Sequence, residues 1–247
     1  MTRDSLIAYL NELLGIEGFQ DYCVNGLQVE GKAEIQKIAG GVSVSQRFLN
    51  KAIHWGADLV LLHHGLFWKS DPHPFYLRGI QKKRLELLIK NNLSLAAYHL
   101  PLDAHDVYGN NIQILKKLGL QPVEPLEIGF VGKVEKPLSR DSFLSLINQK
   151  LNCEATPFFY GKDAIQTILV ISGASSAAYE EAAAHRVDAF IGGDIREENV
   201  RGIEEVGLNY VAAGHYNTER FGVQALLKHL SEKFGLETTF FEIPNPV

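Results

Sequence analysis

QKIAGGVSVSQRFLNKAIHWGADLVLLHHG, residues 36–65, lies without a gap over QTILVISGASSAAYEEAAAHRVDAFIGGDI, residues 166–195. Few residues are identical. The apolar pattern coincides, however, Asp58 falls on Asp188, and His64 falls on Asp194. Each copy reads as strand, helix, strand. In the first, residues 36–42 form a strand, 46–55 a helix, and 58–62 a short apolar run of the kind that helices cover on both faces. In the second, the same elements fall near 165–171, 176–185 and 188–191.

A second match lies downstream. Ala96-Ala97-Tyr98-His99 aligns with Ala212-Ala213-Gly214-His215, and in that register Asp103 falls on Glu219. Each half therefore ends a strand in His and carries a carboxylate four residues later. Further helices are expected near 5–14, with Gly15 as its stop, and near 80–91, 109–118, 139–149, 197–206 and 218–234. Further strands are expected near 94–98, 209–213 and 238–243. This alternation predicts an α/β fold of two similar units from an internal duplication, with mixed sheets flanked by helices. We divide the chain into residues 1–125 and 126–247, sharing one metal site. The proline-bearing segment 121–160 is read as the linker or crossover.

The 247 residues are 46% hydrophobic and 21% charged, enough to bury a core without a staple. A net charge of -5 argues against a general nucleic-acid binder, without excluding one, because phosphate affinity rests on clustered Lys and Arg. Cys23 and Cys153 do not make a disulfide framework and suit a reducing compartment. The opening MTRDSLIAYLNELLG is amphipathic rather than a leader, and no apolar run reaches the roughly 20 residues of a membrane span. The expectation is a cytoplasmic protein with no membrane partner.

His63-His64 follows directly on the buried strand, where α/β sheets place ligand sites. Adjacent side chains on an extended segment point to opposite sides. The pair reaches one metal only if the chain turns at Gly65, and two metals more naturally. The competing reading is a surface or capping pair. His99-Leu-Pro-Leu-Asp103 is read as an extended turn, because Pro101 rules out a continuous strand. In His215-Tyr-Asn-Thr-Glu219 a helix capped by Asn217 or Thr218 is expected, with Glu219 in its first turn. Nitrogen and oxygen donors without cysteine suit an open catalytic site rather than a closed structural zinc. Gly192-Gly193-Asp194 is read as a backbone turn with a helix cap in preference to a metal or substrate role. His54, His185 and His229 fall in helices, and His73 and His105 in loops. Trp55 and Trp68 are packing groups, although Phe67-Trp68 lies close enough to the His pair to flank a flat substrate. Neither cysteine has the neighbourhood of a catalytic thiol.

These motifs, with Asn25-Gly26-Leu27-Gln28-Val29, His63-His64-Gly65-Leu66-Phe67-Trp68, Pro101-Leu102-Asp103, Gly192-Gly193-Asp194, and Gly214-His215 with Glu219, resemble the GTP cyclohydrolase I type 2 homologues. That group is also called the Nif-three-like family, and the likeness is to its short bacterial members. The resemblance spans essentially the whole chain. It implies a Nif-three-like fold and a toroidal homohexamer with metal sites facing its cavity. It also implies two divalent ions per chain, zinc, iron or manganese, on His63, His64, Asp103, His215 and Glu219, with Glu219 able to bridge. His99 is implied near the same cluster, and it is read as a partner of the ligands or as an acid–base group rather than as a ligand. The family name records GTP ring opening, an activity not secured for most members.

Two functions follow as expectations. One is a metal-dependent hydrolase acting on a nucleotide or similar small polar substrate, with His99 moving the proton. The other is a non-enzymatic metal-handling or ring-forming protein. The chain has neither a Walker loop nor a Rossmann fingerprint, so a phosphate would have to meet metal or scattered bases such as Arg78, Lys82 and Lys83.

Overall fold

The computed structural model describes residues 1–72 and 76–246. His73 lies outside them. The chain separates into two compact units, residues 1–102 with 223–243, and residues 103–222 with 244–247.

The first unit opens on α1 (Arg3–Leu14), capped by the Thr2 side chain and stopped by Gly15 in the left-handed conformation. β1 (Gly26–Val29), β2 (Lys37–Ser43), α2 (Gln46–Trp55), β3 (Leu59–His64), α3 (Gly79–Lys90) and β4 (Ser94–Ala97) follow, and then α4 (Leu100–Ala104), whose last two residues belong to the second unit. Ser45 accepts from the Phe48 amide to start α2, and Gly56 at φ 81° ends it. β2, β3 and β4 run parallel, β1 is antiparallel to β4, and the sheet order is β1-β4-β3-β2 with one further strand beyond β2. Adjacent residues of β2 face opposite sides of the sheet, and both sides are tightly covered. A Cβ on Gly41 would meet Phe48 of α2 at 2.6 Å, and one on Gly40 would meet Leu227 at 2.4 Å. Leu59, Val60, Leu61 and Leu62 of β3 are at most 1% exposed, as expected of a strand covered on both faces.

The second unit holds α5 (Asn110–Leu118), β5 (Gln121–Pro125), β6 (Phe130–Leu138), α6 (Arg140–Leu151), β7 (Thr156–Phe159), β8 (Ile165–Val170), α7 (Tyr179–Ala184), β9 (Ala189–Gly192), α8 (Glu197–Glu205) and β10 (Asn209–Ala212). Its sheet order is β5-β6-β8-β9-β10-β7, with β8, β9 and β10 parallel. α9 (His215–Phe234) begins here and from Val223 belongs to the first unit, where β11 (Glu237–Phe240) pairs in parallel with β2.

Three expectations change. The division falls at 102/103 rather than at 125/126, because α5 places Ile112, Ile114, Leu115 and Leu118 in the core with Phe143, Ile147 and Ile168. The C-terminal strand also returns to the first sheet. Second, residues 121–160 are no linker. They form the β5–β6 pair on one flank of the second sheet and β7 on the other, with α6 between. Prolines are at home there, because an edge strand can spare a ladder donor. Pro122 and Pro125 lie on the exposed edge β5, Pro157 on the opposite edge β7, and Pro137 where the β6–β8 register breaks. Third, Pro101 sits in the first turn of the short helix α4 instead of holding the chain extended. A first helical turn needs no donor from Pro, so the residue that excludes a strand also suits a helix start.

The duplication is legible in hydrogen bonds. Oδ2 of Asp58 accepts from the Gln36 and Lys37 amides at 2.9 Å each. Oδ2 of Asp188 accepts from those of Gln166 and Thr167 at 3.0 and 2.8 Å. The register of 36 on 166 therefore holds. The second stretch is offset by one residue. Ala97 pairs with Leu62, and Ala212, not Ala213, pairs with the corresponding Gly192. His99 thus corresponds to Gly214, and His215 stands one residue further on.

Candidate functional site

In the first unit, the chain leaves β3 through His63, fully buried, and His64. Nδ1 of His63 lies 3.0 Å from the Tyr98 carbonyl, which can only accept, so that nitrogen carries the proton and Nε2 the lone pair. Nδ1 of His64 lies 2.9 Å from Oγ of Ser43, at the end of the neighbouring strand β2. His99, just past β4, brings its ring centroid to 4.9 Å from His63 and 5.5 Å from His64. One ligating atom from each of the three falls within 4.8 Å of the others. The motifs set His99 apart from the ligand set, but in space it joins the pair.

The segment around Asn25-Gly26-Leu27-Gln28 braces this group. Oε1 of Gln28 accepts from the Leu66 and Phe67 amides at 2.6 and 3.1 Å and so holds the turn after the histidines. Gly65 is required there, since a Cβ would meet the Gln28 amide at 2.5 Å and Ala97 at 2.6 Å. Asn25 accepts from the His99 amide at 2.8 Å. Asp21, which no motif of the sequence singles out, lies 2.9 Å from Nδ1 of His99. Burial alone would raise its pKa, but the bonds from His99, the Cys23 amide and Asn25 prevail and hold it well below the usual carboxylate range. Trp68 stands edge-on to His99 at 5.5 Å, and Tyr22, 55% exposed, stacks on Trp68 at 5.7 Å. Cys23 is buried and its thiol is pushed up to about 11, chiefly by desolvation, which agrees with the expectation of no reactive thiol.

In the second unit, α9 begins at His215 itself, two or three residues before the expected start. His215 and Glu219 are then one helical turn apart, with Nε2 of His215 at 3.1 Å from Oε2 of Glu219. Thr218 does not cap the helix. Its hydroxyl turns back to the Gly214 and His215 carbonyls and accepts from the Gly173 amide. Asp194 is more than a turn residue, because its Oδ2 lies 3.2 Å from Nδ1 of His215. Burial opposes a charge on His215, yet Glu219 and Asp194 outweigh it and raise the pKa to about 9. Such a field around one imidazole favours a metal cation as it favours a proton. Oδ1 of Asp103 accepts from Asn110 Nδ2 at 2.8 Å and from the Ser172 hydroxyl at 2.9 Å. Gly173 is the next residue, at φ 64°, and a Cβ on it would reach Oε1 of Glu219 at 2.2 Å. The loop after β8 thus touches both carboxylates.

His105 accepts from the Val107 and Tyr108 amides, His185 meets Glu124, and His229 meets Tyr9. Trp55 packs under Lys37, consistent with a packing role. No helix among the described residues is long and apolar enough to cross a membrane.

The donor chemistry within each unit, tautomer-set imidazoles in the first and an imidazole among oriented carboxylates in the second, with no thiolate, fits a divalent transition metal. Among solved structures, a protein named ybgI, described as of unknown function, superposes with a TM-score of 0.95 at 39% identity, over 100% of both chains. TTHA1606 from Thermus thermophilus does so at 0.92 and 34%, also over 100% of both. A protein of Vibrio cholerae named GTP cyclohydrolase 1 type 2 homolog is 40% identical over 100% of both chains. Residues 1–246 match the family described as Duf34/NIF3 (NGG1p interacting factor 3), and on the strength of that match and of these relatives the chain belongs to the Duf34/NIF3 family.

Proposed function

We propose that this protein binds two divalent metal ions and uses them to hydrolyse a nucleotide or a similar small polar substrate. The observation that carries the reading is the trio His63, His64 and His99, with ligating atoms within 4.8 Å of one another and Nδ1 of each already engaged. Imidazoles crowded together repel one another when protonated, whereas a cation is stabilised by the His63 and His64 rings, with His99 beside it. His63, His64, Asp103, His215 and Glu219 are the proposed ligands. Their nitrogen and oxygen atoms suit zinc, iron or manganese.

Ions bound there supply Lewis-acid polarisation and a nucleophile at neutral pH. The chain's own residues do the rest. His99, held through Nδ1 by Asp21, accepts or returns a proton at Nε2. Asp103, oriented by Asn110 and Ser172, presents its carboxylate to a cation. Trp68 and Tyr22 form an aromatic wall beside His99, which suits a flat ring. The name of the relatives makes ring opening of a guanine nucleotide one reaction to test. The family resemblance supports assembly as a ring-shaped homohexamer, which mass measurement in solution checks.

The deciding experiment screens metal-loaded protein against nucleotides, dinucleotides and phosphoesters. Turnover that disappears on chelation and in Glu219→Gln supports the proposal, as does a His99→Ala variant that keeps its metal but loses turnover. Tight metal binding and transfer to a second protein, with no turnover on any substrate, replaces it with a metal-handling role.

A further inference from the structure

Asp21 is only 3% exposed, and every contact it makes is with a donor. Its Oδ1 receives the Cys23 amide and Nδ1 of His99, and its Oδ2 receives Nδ2 of Asn25 and the Leu100 amide, each at 2.9 Å. No Lys or Arg is among these partners. A buried carboxylate without a cation is costly unless donors saturate it. As a loop staple alone, with three donors to meet, a neutral acceptor would serve. The fourth donor is the imidazole, 78 residues away in sequence, whose backbone amide is separately held by Asn25.

We infer that Asp21 is a positioning residue that locks His99 as the Nδ1–H tautomer and presents Nε2 toward His63 and His64. The inference rests on the proposed acid–base role of His99, and it extends that role to a residue outside every recognised motif of the chain. An ionised carboxylate cannot donate, so the proton between the two groups belongs to the ring. The second unit uses the same device by a different route, since Asp194, from the end of β9, meets Nδ1 of His215. Two carboxylates from unrelated segments, each placed on Nδ1, point to orientation of the opposite nitrogen as their common purpose.

The test reads the tautomer directly, by nitrogen-15 NMR of the histidine rings in metal-free full-length protein. Wild type is expected to show His99 protonated at Nδ1. Asp21→Asn replaces one acceptor oxygen with a donor facing donors, so it is expected to shift His99 toward the Nε2–H form. Asn25→Ala loosens the same loop without touching the ring and is expected to leave the tautomer unchanged. In metal-loaded protein, Asp21→Asn is expected to lower turnover about 10–100-fold and to change its pH profile while KM stays near wild type. A wild-type His99 protonated at Nε2, or Asp21→Asn and Asn25→Ala acting alike on tautomer and pH profile, overturns the inference. If wild-type protein takes up no metal, the proposed function fails, while the NMR comparison still judges Asp21.

Discussion

In the first unit β3 ends in His63 and His64, whereas the corresponding strand β9 of the second unit is followed by Gly193 and Asp194. Behind those ends the two units are alike. In both, three consecutive strands run parallel, the third has an antiparallel neighbour, and an Asp accepts two amides at the start of the first; the first unit adds β11 in parallel beside β2. The Asp is needed in both because it pins the beginning of one strand to the beginning of the next. The other end of the sheet is free of that constraint, and there the units have diverged. The first unit carries imidazoles there, braced from its N-terminal loop. The second carries one imidazole, His215, among carboxylates braced from its own strand ends. A repeat of this kind keeps the residues that hold the scaffold and varies those that meet a ligand.

The strongest way to break the comparison is to remove a donor from each unit. His63→Ala and His215→Ala are each expected to lower metal affinity well beyond the roughly 10–100-fold that an outer partner costs. Circular dichroism should remain that of the folded protein. Titration calorimetry with zinc or manganese checks this. Unfolding in either variant would mean that the ends hold the scaffold as well.

The shared aspartates come next. Asp58→Ala and Asp188→Ala are each expected to cost about 1–3 kcal/mol in urea unfolding, because each leaves two partly buried amides without their charged acceptor. Equal losses support a common role, and a loss in one alone would make the other a relic. A pH series sharpens the point. Burial raises both pKa values, but Lys32 with two amides, and Thr167 with Gln166, hold them below the ordinary carboxylate value. Their stabilisation is therefore complete above the unfolded pKa of about 4 and is lost as pH falls through the lower folded value. Wild type should lose stability on acidification below about pH 4, and each variant should lose less.

The smallest expected effects lie at the aligned positions Ser43 and Gly173. Gly173→Ala carries a strained φ and pushes on Glu219, so about 1–3 kcal/mol of stability and a measurable part of the metal affinity should go. Ser43→Ala removes only the hydroxyl beside Nδ1 of His64 and should cost about 0.5–1.5 kcal/mol. If the alanine at 173 were the milder of the two, the close approach to Glu219 would not matter.

The repeat, the strand-end positions of His63 and His64, and the helices with locally written caps, such as Thr2 with Gly15 and Ser45 with Gly56, are all legible in the chain as a string of residues. Apolar period and cap chemistry act over a few residues, so they can be read a few residues at a time. Pro101 shows the limit of such reading, since the same ring excludes a strand and admits a first helical turn. The one-residue offset between His99 and His215 is set by ladder register, which no local pattern records. Folding in three dimensions was needed to bring Asp21 to His99 across 78 residues, and His99 to His63 and His64. It also placed Asp194 on His215 and Ser172 on Asp103. Those partners are joined by closure of the chain over long loops, and a buried carboxylate finds its donors only once the strands that carry them have paired.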